Sequence, residues 1–77
     1  MLKHFGTVDL TIAEAEDGLA RVTIQGRGDW TEADWTDACR YANRLRGGHS
    51  VLSGGYDEDT HWELWSVPVC ALDLAVA

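Results

Sequence analysis

The chain has 77 residues, 45% of them apolar and four of them Trp, so it is a single small globular domain whose core leaves little room for a buried catalytic cavity. Six Lys and Arg against thirteen Asp and Glu give a net charge of −7. That charge repels phosphate backbones, disfavours direct nucleic-acid binding and favours basic partners.

The first residues, Met1-Leu2-Lys3-His4-Phe5-Gly6, lack the apolar run of a signal peptide, and no stretch reaches the ~20 apolar residues that cross a bilayer. The expectation is a cytoplasmic protein that makes no membrane contact.

Val8, Leu10 and Ile12 alternate with Thr7, Asp9 and Thr11, and Ala20, Val22 and Ile24 alternate with Arg21, Thr23 and Gln25. Both runs read as half-buried strands. A two-residue turn at Asp17-Gly18 would set apolar against polar side chains. A three-residue loop, Glu16-Asp17-Gly18, instead pairs Leu10 with Ile24 and Ile12 with Val22, and puts Gly18 where a bulged hairpin needs a left-handed residue.

Next comes Arg27-Gly28-Asp29, the tripeptide of integrin ligands, too short a motif to argue adhesion and better read as the handover from strand to helix. Thr31 is a good N-cap, Asp34 a short capping-box acid, and Trp30 can staple onto Trp35. The helix is predicted over residues 32–45, with Trp35, Ala38, Cys39, Ala42 and Leu45 in one stripe and Gly47-Gly48 as the stop. Residues 50–56 read as a strand weakened by Gly54-Gly55, and Asp57-Glu58-Asp59 as an acidic turn. Residues 61–67 read as a Trp-rich strand that Pro68 ends. The alternation of Leu72, Leu74 and Val76 offers a further strand over residues 70–77. The predicted class is α+β: an antiparallel sheet of four or five strands, order β-β-α-β-β(-β), with one helix packed on one face.

Cys39 and Cys70 match no zinc spacing and read as reduced core residues. Of the three His, His61 shares a strand face with Glu63, a pair that a small ribonuclease could use, although the net charge suits RNA poorly. The acidic turn lacks the Gly and distal Glu of a calcium loop. No catalytic, metal or cofactor residue is therefore assigned.

Three carboxylate clusters stand out: Asp29, Glu32 and Asp34; Asp57, Glu58 and Asp59; and Glu14, Glu16 and Asp17. Spaced carboxylates imitate phosphates towards a basic groove, and an exposed aromatic anchors an interface. The candidate partner-binding set is Asp29, Glu32, Asp34, Tyr56, Asp57, Glu58, Asp59 and Trp65, with cover of Trp65 by Leu72 and Leu74 as the opposing expectation.

In size, acidity and aromatic content over its whole length, the chain resembles the small phage-encoded inhibitors of bacterial defence, the anti-CRISPR class in particular. The resemblance rests on no motif, so no residue role carries over from it. It implies a non-enzymatic inhibitor, without cofactor, that blocks the basic nucleic-acid path of a host protein or nucleoprotein complex. The alternative is an antitoxin or regulatory subunit acting through a homodimer or a toxin partner, with a small ribonuclease behind both.

Overall fold

A computed structural model describes residues 1–74. Five strands and one helix follow the order β1 (Leu2–Phe5), β2 (Val8–Glu14), β3 (Leu19–Gly26), α1 (Glu32–Arg46), β4 (Val51–Asp57) and β5 (Thr60–Pro68), closed by a 3-10 turn at Val69–Ala71. All pairings are antiparallel and the spatial order is β1-β2-β3-β5-β4. The class is α+β with one helix, as the sequence implies.

The β2–β3 hairpin has the register that parity demands, with Leu10 opposite Ile24, Thr11 opposite Thr23 and Ile12 opposite Val22. Gly18 takes φ +84°, a region that costs other residues about 1–2 kcal/mol. On the helix side Val8, Leu10, Ile12, Ala20, Val22 and Ile24 are buried; the other side carries Thr11, Arg21 and Gln25 to solvent.

Helix α1 begins where its signals put it and runs one residue past the predicted end. Thr31 accepts the backbone N–H of Asp34 at 3.3 Å, and the rings of Trp30 and Trp35 lie 4.9 Å apart. The buried stripe is Ala38, Tyr41 and Ala42, flanked by half-buried Trp35, Cys39 and Leu45. Tyr41 extends the stripe beyond the predicted residues and packs against Phe5 at 5.4 Å between centroids.

Two expectations about the strands are corrected. The fifth strand is β1, not the tail: Leu2–Phe5 pairs along β2, and the Met1 ammonium donates to the Ile12 carbonyl at 2.8 Å. The tail instead folds as a 3-10 turn after Pro68, with Leu72 and Leu74 packing on the core as irregular chain, and Val76 lies outside the described residues. A short period-two pattern also fits a chain that crosses the core once, and Pro68 removes the donor a continuing ladder needs.

The β1–β2 turn is bolted to the helix. Gly6 has φ +61°, and a side chain there would begin 2.5 Å from Asp34 Oδ2. That oxygen accepts the Thr7 backbone N–H at 2.9 Å and the Thr7 hydroxyl at 2.7 Å. Glycine is needed twice over, for the backbone angle and for the approach of the carboxylate.

Candidate cleft and acidic end

Helix α1 packs mainly over β1, β2 and β3; on the same face of β5 Trp65 and Val67 are buried, whereas His61 and Glu63 stay only half-buried. The step between helix and open strands is a cleft of about 210 Å³. Val22, Ile24 and Ala42 make its apolar side, and Cys39, Asn43, His61 and Glu63 bring polar groups to it. His61 stands opposite Ile24 and Glu63 opposite Val22 in the β3–β5 register, which turns both polar side chains towards the helix.

Glu63 is held from two sides. Its Oε1 accepts the Trp65 indole N–H at 2.9 Å, and its Oε2 lies 3.1 Å from His61 Nε2. Burial pushes its carboxyl up, but the bonds from Trp65 and His61, together with the charges of His61 and Arg46, outweigh that and hold it below the usual range. The thiol of Cys39 is pushed up by burial and then by the Glu63 charge, so it stays protonated at neutral pH and is not an activated nucleophile. Tyr56 joins strand to helix next to His61, 6.2 Å from Trp35 and 6.3 Å from His61 between ring centroids.

The acidic clusters sort by position. The first strand-to-helix junction and the β4–β5 turn lie at one end, tied by the Gly26 N–H to the Asp59 carbonyl at 2.7 Å and by the Trp35–Tyr56 contact. Asp29, Glu32, Asp57 and Glu58 are exposed there, and Tyr56 is 65% exposed among them. The β2–β3 hairpin with Glu14, Glu16 and Asp17 lies at the opposite end, where the Gly18 carbonyl accepts from Val69.

Three members of the sequence-derived set change standing. Asp34 is committed to Thr7 and Thr31, which hold its carboxyl below the usual range, so it braces the fold. Asp59 is half-buried and accepts the Thr60 hydroxyl at 3.2 Å. Trp65 is wholly buried and cannot anchor a partner; the face carrying Trp65 and Val67 turns inward, and Leu72 and Leu74 pack on the same core. The outward Trp is Trp62, which lies under the Arg21 guanidinium at 4.6 Å from the ring centroid. Cys70 is exposed where a core position is expected, and both cysteines are free.

Asp9, outside the predicted clusters, is the acid most closely paired with cations. The bond from His4 at 2.6 Å, opposed by desolvation and helped by Arg27 at 3.0 Å, lowers its carboxyl. Among the described residues no three His, Cys, Asp or Glu side chains are grouped to hold a metal ion, and no helix is long and apolar enough to cross a membrane. Sequence reasoning found His61 and Glu63 on one face but missed Cys39 and Asn43 as their neighbours.

Comparison of the chain with family models, with curated proteins and with solved structures finds no match.

Proposed function

We infer that the protein is a non-enzymatic inhibitor of the anti-CRISPR kind, which occupies a basic protein surface meant for nucleic acid. The observation that carries this reading is Tyr56, 65% exposed at the end of edge strand β4 and followed directly by the exposed acids Asp57 and Glu58. An amphipathic ring beside fixed negative charge is the pairing that supplies both an anchor and electrostatic steering at interfaces. Asp29 and Glu32 widen the negative field at the same end. Glu58 adds support: it takes φ 45°, an uncommon angle for a residue other than glycine, and so keeps an acid at the turn at a cost in strain.

The test is a panel of purified CRISPR effector complexes, each assayed for target-DNA binding with increasing amounts of the protein. At least one complex should lose DNA binding at near-equimolar inhibitor, and Asp57→Lys and Glu58→Lys together should weaken the inhibition more than about tenfold. Absence of inhibition across the panel overturns the reading.

A second reading has its own observation. Strand β4 is an open edge with Val51 41% and Leu52 54% exposed and no charge between Val51 and Tyr56. Such an edge pairs readily with another strand, as in a homodimeric regulator or antitoxin. A stable dimer on sizing under reducing conditions, with no inhibition of any effector, would favour it.

A further inference from the structure

The cleft presents one carboxylate, Glu63, in a recess with an apolar side and a polar side. Glu63 keeps 27% of its side chain exposed, and its bonds to Trp65 and His61 use two of the roughly four acceptor positions of a carboxylate. No Lys or Arg lines the recess among the described residues; the nearby Arg46 gives Nη1 to the His49 carbonyl at 2.8 Å. On the edge strand Gly54 stands opposite Glu63 and sets no side chain beside it; a Cβ there would lie 3.7 Å from Glu63 Cγ and 3.0 Å from the Trp62 carbonyl oxygen.

We propose that this cleft receives a single arginine side chain projected by the basic partner. The proposal rests on the basic-partner reading above and adds a specific contact to it. The planar guanidinium donates to the free lone pairs of Glu63 and to the Asn43 carboxamide oxygen, with the His61 ring beside it; its methylenes lie along Ile24 and Ala42. Charge complementarity selects this occupant. An anion meets the Glu63 charge directly, and an apolar side chain would dehydrate that carboxylate without pairing it. Arginine is favoured over lysine because its fork can serve two acceptors at once and its plane suits an aromatic wall.

The test needs no partner. Isotope-labelled full-length protein is titrated with N-acetyl-arginine methylamide, and in parallel with the lysine and norleucine analogues, following the Trp65 indole and Asn43 side-chain resonances by NMR. The arginine compound should shift both signals saturably with a dissociation constant of about 1–10 mM, as befits an isolated side chain. Lysine should bind more weakly and norleucine not at all. Glu63→Gln should weaken the arginine response at least about tenfold, and Asn43→Phe, a plug from the exposed helix rim, should do the same in a protein whose melting curve shows it folded. No saturable shift in the folded wild type, or an undiminished one in the folded plug variant, overturns the proposal. Loss of the response in the Asp57 and Glu58 reversal also overturns it, since the site would then be the turn. Failure here leaves the effector assay intact, and failure of that assay leaves cleft binding measurable.

Discussion

Trp65, the largest fully buried side chain, donates its indole N–H to Glu63 at 2.9 Å, so the acid at the cleft is also the polar partner of the core. Removing that partner strands a buried donor. Glu63→Ala should cost about 1–3 kcal/mol in urea unfolding, whereas Trp65→Ala should cost about 3–5 kcal/mol, close to the whole stability of a domain this small. Equal, small losses in both variants would show that the indole bond does not couple core to cleft.

Acid should unfold the protein from a predictable direction. Asp34, Asp9 and Glu63 all have folded-state carboxyls held below their ordinary values of 3.8, 3.8 and 4.5. A depressed folded value contributes stability that is present above the unfolded value and lost as pH falls through the folded one. Unfolding curves should therefore be flat above about pH 5 and fall off below about pH 4. Asp34→Asn should lower the plateau and shallow the acid limb; an unchanged limb would remove Asp34 from this account.

The Gly6–Asp34 approach makes a sharper demand. Gly6→Ala adds a Cβ 2.5 Å from the carboxylate at a backbone angle of +61°. The angle alone costs about 1–2 kcal/mol, and Asp34 must also move off Thr7. Melting temperature should drop well beyond that of Gly48→Ala, a site with nothing within 4 Å of the added atom.

At the acidic turn, stability and binding should separate. Glu58→Gly relieves a positive φ and should raise stability by about 0.5–1 kcal/mol while weakening partner binding. A variant that is both more stable and equally active would take Glu58 out of the interface.

How much of this was legible depended on whether neighbours or distant chain segments decide the outcome. The β2–β3 register follows from parity alone, since only an odd loop sets Ile12 opposite Val22. The helix start is written in Thr31, Asp34 and the Trp30–Trp35 pair. Leu2–Phe5, in contrast, shows no alternation worth the name, and becomes a strand because β2 offers it an edge. The face choice of β5 was equally opaque: with Trp62 and Leu64 on one side and Trp65 and Val67 on the other, only the position of the helix settles it. The cleft inherits that uncertainty, since it exists where the helix stops covering the sheet.

The strand order has a consequence for biosynthesis. Among the described strands β5 is made last, yet it sits between β3 and β4. Until β5 is made, β4 has no neighbour to pair with, and the three-stranded meander and helix must wait with two of the five strands unplaced. A premature stop anywhere before Thr60 would thus take out an interior member of the sheet rather than trim its border, and the protein should resist proteolysis only once Thr60–Pro68 is in place.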